Sequence, residues 1–173
     1  MSNKGGMTMK TMTELMLSEE IWNHSMRVAK MAYKFAQDLG CPEDECKDIF
    51  KAGLEHDFGK LLINKDILEK PGKLTQEEIA EVKRHTSDEV LNLCEFSSDF
   101  TKKIASEHHK KYTEICKASQ IIAICDVFDA LTSKRCYKEP MSVHDAFDIM
   151  QNNPRQDVLN KELLSKFISL HEY

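Results

Sequence analysis

Residues 18–39 read SEEIWNHSMRVAKMAYKFAQDL, and the spacing within them decides the fold class. Ile21, Trp22, Val28, Ala29, Ala32, Phe35, Ala36 and Leu39 recur at i, i+3, i+4 and i+7, the period of one face of an α-helix. Ser18 followed by Glu19 and Glu20 is a helix start, with acids at the positive end of the dipole. Gly40 stops the helix and Pro42 opens the next segment, a helix over 42–54 with Ile49, Phe50 and Leu54 inward. A short helix is predicted at 65–68, and Thr75-Gln-Glu-Glu78 is a capping-box pattern that starts another, reaching His85. The same period predicts helices over 87–96, 98–110, 117–133, 142–152 and 160–171. Strict alternation is scarce, so the expected fold is all-α. The expected organisation is a flexible stretch at 1–12 followed by one compact helical domain at 13–173.

The chain has 173 residues, the size of one domain. Apolar residues make up 41% and charged residues 31%, the balance of an ordinary globular protein. The longest apolar run, Ile121–Cys125, is far short of the ~18 residues of a transmembrane helix. Met1–Lys10 contains no apolar segment of the signal-peptide kind, so a cytoplasmic location is expected. Net charge is 24 − 29 = −5, which argues against a binder of DNA or RNA polymers or of anionic membranes. A small anionic substrate would need a local basic site. The six cysteines, at 41, 46, 94, 116, 125 and 136, form no CxxC pair and read as reduced thiols rather than a zinc knuckle.

The chemistry lies in histidines and acids. Glu20 and His24 share one helix face at i, i+4, a spacing that metal sites use. His56-Asp57 and His108-His109 are adjacent pairs. Asp126 and Asp129 lie at i, i+3 inside Ile121-Ile-Ala-Ile-Cys-Asp-Val-Phe-Asp-Ala-Leu131, where burying an acid is costly without a cation or hydrogen bonds. Histidine and carboxylate ligands with few thiolates suit iron, manganese or zinc.

These segments together resemble the HD-domain metal-dependent phosphohydrolases, specifically the HD-GYP subgroup that hydrolyses cyclic dinucleotides. The resemblance rests on His24-Ser-Met-Arg-Val-Ala29, His56-Asp-Phe-Gly-Lys60, Leu68-Glu-Lys-Pro-Gly-Lys-Leu-Thr75, His85, His108-His109 and Asp126-Val-Phe-Asp-Ala-Leu-Thr-Ser-Lys-Arg135, followed by Tyr137-Lys138. It implies that His24, His56, Asp57 and Asp126 hold a first metal, and that Asp57 bridges to a second held by His85, His108 and His109. Glu20 matches an acid found with a third metal, with Asp129 in support, so two or three divalent ions are implied. Iron or manganese is favoured, with zinc, magnesium and nickel as alternatives. Asp57 and Lys60 carry the implied catalysis, and Lys60, Arg135 and Lys138 match phosphate-binding cations.

One departure stands out. The family's Asp-Gly-x-Gly-Tyr-Pro loop after the histidine pair is absent, and only sixteen residues separate His109 from Asp126. Lys110, Lys111 and Lys117 in the replacement either restore positive potential or form a solvated charge run. The activity implied is hydrolysis of a phosphodiester, with cyclic di-GMP as the type of small anionic nucleotide substrate. The alternative is a non-catalytic HD module that binds nucleotide or protein in signalling. A homodimer is left open.

Overall fold

The computed structural model describes residues 19–134, 139–152 and 157–171. These residues fold into α1 (Glu19–Asp38), α2 (Glu43–Glu55), α3 (Lys65–Leu68), α4 (Gln76–Lys83), α5 (Asp88–Leu91), α6 (Asp99–Glu107), α7 (Lys117–Thr132), α8 (Val143–Gln151) and α9 (Lys161–Ser169). Single 3₁₀ turns occupy Phe58–Leu62, Arg84–Thr86 and Tyr112–Glu114. No strand occurs among the described residues. The expected stretch at 1–12, like Ser18, lies outside them.

Helix α7 is the axis of the domain. Ala118, Ser119, Ile121 to Cys125, Phe128 and Asp129 are all buried on it, as a helix apolar on every side must be. It packs against α1, α2, α6, α8 and α9. Phe35 of α1, Phe128 of α7, Phe147 of α8 and Phe167 of α9 meet edge-on or stacked at its far end. Two residues before Phe128, Asp126 lies on the opposite face of α7, turned toward the polar residues described below.

Helices α1 and α2 approach closely where small residues meet, and beside that point Tyr33 packs edge-on against Phe50. Ala29, Ala32 and Ala36 face Ala52 and Gly53, all buried. A Cβ on Gly53 would lie 2.6 Å from the Cα of Ala29, backbone that cannot step aside. This seam holds His24 and His56 at a fixed separation.

Two helices stop earlier than their sequence period suggests. The predicted helix over 87–96 is a single turn, Asp88–Leu91. Beyond it Leu93 is 74% exposed, while the Cys94 thiol donates to Phe58 O and Phe96 packs on Phe58. Those tertiary contacts outweigh the local period. The helix predicted to reach His85 ends at Lys83 and tightens into the Arg84–Thr86 turn. The Thr75–Glu78 capping box forms as expected, with Glu78 N donating to Thr75 Oγ1 at 3.3 Å and Thr75 N to Glu78 Oε2 at 2.8 Å.

Gly53→Ala measures the seam. Helix propensity favours alanine by about 1 kcal/mol, while forced overpacking of backbone costs about 1–3 kcal/mol. The clash should win, lowering the thermal midpoint by roughly 2–6 °C in a calorimetric scan; an unchanged or raised midpoint would show that the seam can open freely.

Candidate metal centre

Three histidines are placed by one local device. His56 follows the end of α2, His85 sits in the turn after α4, and His108 follows the end of α6. Each donates its Nδ1–H to the carbonyl three residues back: Gly53 at 2.8 Å, Val82 at 2.6 Å and Ala105 at 2.9 Å. A carbonyl only accepts, so Nδ1 carries a proton, and in a neutral ring this leaves the Nε2 lone pair bare. At Gly53 and Ala105 the device also satisfies a helix-end carbonyl, while Val82 O accepts from Arg84 N as well. All three rings are buried, His56 completely.

The Nε2 atoms of these rings and of His24 converge on Asp57. Its Oδ2 lies 3.4 Å from His56 Nε2 and 3.6 Å from His24 Nε2. Its Oδ1 lies 3.4 Å from His85 Nε2 and 3.9 Å from His108 Nε2. From α7, Asp126 Oδ1 approaches His24 Nε2 at 3.1 Å and His56 Nε2 at 4.0 Å. Lys60 reaches Asp57 Oδ2 at 2.5 Å. Gly59 lets the two halves touch: a Cβ there would stand 1.9 Å from the carbonyl oxygen of His85.

This arrangement fits divalent cations. Among the described residues, the Nε2 atoms of His24, His56, His85 and His108 and the Oδ1 of Asp57 are buried without a hydrogen-bond partner. Lone pairs aimed at carboxylate oxygens repel unless a proton or cation stands between them, and buried unpaired polar groups are costly. Three groups have ligand atoms mutually within 4.8 Å: His24, His56 and Asp57; His85, His108 and His109; and His56, His108 and Asp126. Asp57 has one oxygen toward each of the first two groups.

Asp129, expected in support of a third metal, has both oxygens engaged by donors on the outer side of His24. Oδ2 accepts from His24 Nδ1 at 2.7 Å and Arg27 Nη2 at 2.9 Å, and Oδ1 from Arg27 Nε at 2.6 Å and Ser133 Oγ at 2.9 Å. It therefore orients His24 from behind. Arg27 and Ser133 were not singled out in the sequence; the signal was there in Arg27, one turn after His24 on the same helix. Glu20 is exposed and lines the cavity beside His24, and His109 is more exposed than His108. Arg135 and Lys138 lie outside the described residues.

Other groups are absorbed elsewhere. Lys111 pairs with Asp157 at 3.2 Å, and the Lys117 ammonium lies 3.7 Å from Cys41 Sγ. The short connection after His109 is tied down by Tyr112 N donating to Asp157 O at 2.9 Å and by Gln120 Nε2 donating to Tyr112 O at 2.8 Å. Cys125 is buried beside Asp126, and burial pushes its thiol up, so it stays protonated. His144 is exposed near Asp148, and His171 donates to Phe167 O.

Charge within the cluster is unevenly shared. Burial lowers His85 to about 4 and holds His108 well below its ordinary range, so both are neutral. Burial also opposes charge on His24, but its contacts with Asp126 and Asp129 outweigh that and raise it to about 9. Burial opposes ionisation of Asp57 too, yet the Lys60 ammonium and His56 hold it well below the carboxylate range. Asp129 falls to about 2, its burial outweighed by donation from His24 and Arg27.

A helical domain with such a histidine–aspartate cluster between its helix ends belongs to a known class. The chain is a member of the HD domain family, whose profile matches residues 10–163. It is 34% identical over 147 residues to the 3'3'-cGAMP-specific phosphodiesterase 1 of Vibrio cholerae, covering 78% of this chain and 34% of that protein. It is 31% identical over 175 residues to a cyclic di-GMP phosphodiesterase of Thermotoga maritima, covering 91% of this chain and 47% of that protein. The chain thus spans between a third and a half of the length of these curated relatives. The fold matches the HD domain of the L. monocytogenes phosphodiesterase PgpH, with a TM-score of 0.62 at 18% identity over 92% of this chain and 95% of that one. That domain has also been solved in complex with cyclic-di-AMP. Among the described residues no helix is long and apolar enough to cross a membrane.

Nitrogen-resolved spectra of the metal-free chain at neutral pH should show His85 and His108 as neutral Nδ1–H tautomers and His24 doubly protonated. His24 should titrate near pH 9. Since that lies above its ordinary value of 6.5, its stabilising contribution is complete below 6.5 and is lost as the pH rises through about 9. A midpoint for His24 at or below 6.5 would contradict the arrangement.

Proposed function

We propose that this chain hydrolyses a phosphodiester bond of a cyclic dinucleotide with two or three divalent cations. In this reading His24, His56, Asp57 and Asp126 hold one cation, and His85, His108 and His109 hold a second, with Asp57 shared between them. Glu20 reaches a third. The observation that carries the reading is the convergence of four unpartnered Nε2 atoms on the two oxygens of one buried carboxylate. The named activities of the curated relatives support the substrate class. The donor set, rich in histidine and carboxylate and free of thiolate, suits iron, manganese or zinc, and the family resemblance favours iron or manganese over zinc, magnesium or nickel. A cytoplasmic setting, where cyclic dinucleotides are at hand, belongs to the same reading.

When bound, such cations acidify water and offset the charge that grows on the phosphoryl oxygens. The chain's own residues supply orientation. Asp129, itself gripped by Arg27, fixes the His24 ring and its tautomer, as outer carboxylates do behind ligating histidines. Lys60 stands 2.5 Å from Asp57 Oδ2 and lines the cavity with a side chain 18% exposed. Its ammonium can turn part of that pairing toward a phosphoryl oxygen, as a charge-assisted hydrogen bond. Arg135 and Lys138 are proposed as further phosphate contacts on the strength of the resemblance alone.

Elemental analysis of anaerobically purified protein, followed by a hydrolysis assay on cyclic di-GMP and 3'3'-cGAMP, tests the reading. Asp57→Ala should lower metal in both primary groups and abolish turnover; unchanged metal content would refute the shared carboxylate. Asp129→Asn should weaken metal binding at the His24 group by roughly 10–100-fold, the usual cost of losing an outer partner. Full occupancy without turnover would favour the non-catalytic binding module.

A further inference from the structure

The cavity beside the cluster has a volume of about 550 Å³ and two unlike ends. Glu20, His24, Asp57 and Lys60 form one end. The other is built by the segment from α3 to α4, where Ile67, Leu68, Leu74, Ile79 and Val82 line the space. All five are half-buried, so each keeps apolar surface facing the cavity.

This wall is formed in advance of any ligand. Asn64 caps α3 through Asp66 N at 2.9 Å, and the Thr75–Glu78 box caps α4. Lys70 ties the intervening turn to α4 by donating to both Glu78 oxygens at 2.7 and 2.8 Å. Lys70 is thereby neutralised. Lys73, at the rim of the same cavity, is exposed and has no ion-pair partner among the described residues.

An apolar wall facing a cation-binding cluster across one cavity suits a ligand with matching parts. Inorganic phosphate or a small alkyl phosphate would occupy only the polar end and leave the wall wet. A nucleobase has an apolar face of the right kind, carried at a fixed distance from a phosphate. Resting on the proposed phosphodiesterase reading, we infer that Leu74 and Ile79, with Ile67, Leu68 and Val82, seat a nucleobase of the substrate, and that Lys73 takes its second phosphate. Selectivity for cyclic dinucleotides then resides in the segment 67–82.

The test is calorimetric titration of the manganese-loaded full chain with three probes: a hydrolysis-resistant phosphorothioate of cyclic di-GMP, 5'-GMP and inorganic phosphate. Removing a buried aliphatic contact weakens binding by about tenfold or more, so Leu74→Ser and Ile79→Ser should each cost that much for both nucleotides, with little change for inorganic phosphate. Lys73→Ala should weaken the cyclic dinucleotide and spare 5'-GMP, which has one phosphate. Because Lys73 is exposed, that variant keeps the test decisive even if a wall variant fails to fold. Equal loss for inorganic phosphate, nucleotide affinities indifferent to all three changes, or no binding of the cyclic dinucleotide by the parent chain would each overturn the inference. A chain that binds in the expected pattern yet cleaves no cyclic dinucleotide would retire the hydrolytic reading and leave this one standing.

Discussion

The contact on which the site depends is a hydrogen bond from a histidine Nδ1 to the carbonyl three residues earlier, made at Gly53, Val82 and Ala105. It is local, so it forms wherever a helix ends in the right geometry. It settles the tautomer and the ring's direction together, and at Gly53 and Ala105 the fate of an otherwise orphaned carbonyl as well. Three separate helix ends then aim an Nε2 at one aspartate. The fourth histidine, His24, lies within a helix whose own backbone is fully used, and it takes its partner from α7 instead. Asp129 gives it what the carbonyls give the others.

The polar cluster is expensive in the metal-free protein, and its surroundings limit that expense. Asp57 lies beside His85 and His108, which burial keeps neutral and which bring it no compensating charge. Lys60 and a protonated His24 supply the compensating charge. Arg27, 44% exposed, balances Asp129 from outside. Removing one member of such a network leaves another buried and uncompensated, which is costlier than the loss of a surface pair. The rigid α1–α2 seam and the buried α7 keep these groups from relaxing apart.

Much of this was legible in the chain. Helical period located α1, α2 and α7, and the capping box located the start of α4, because both signals are local. His24, His56, Asp57, His108 and Asp126 had been singled out by pairing or helical spacing, whereas His85, alone in its segment, entered only through the resemblance. What escaped was of two kinds. The early stop of α5 follows from Cys94 and Phe96 packing on Phe58, a contact between distant parts of the chain that no periodicity encodes. The second is how Asp126 and Asp129, less than one helical turn apart, divide between the two sides of His24, Asp126 facing Nε2 and Asp129 facing Nδ1. Which of them faces the histidine Nε2 atoms depends on where α1 lies, and the presence of Arg27 on that helix decides it.

Gly59 has a consequence for the span of the centre. The carbonyl of His85 rests where a side chain on Gly59 would be, so the segment carrying His85 is in direct backbone contact with the segment carrying His56 and Asp57. No compressible side chain lies in that contact. The distance between the two ligand groups is therefore a property of the backbone and acts as a fixed ruler. On the proposed two-cation reading, the backbone would set how far apart the two ions sit, so metals would be selected by that separation as well as by the donors offered.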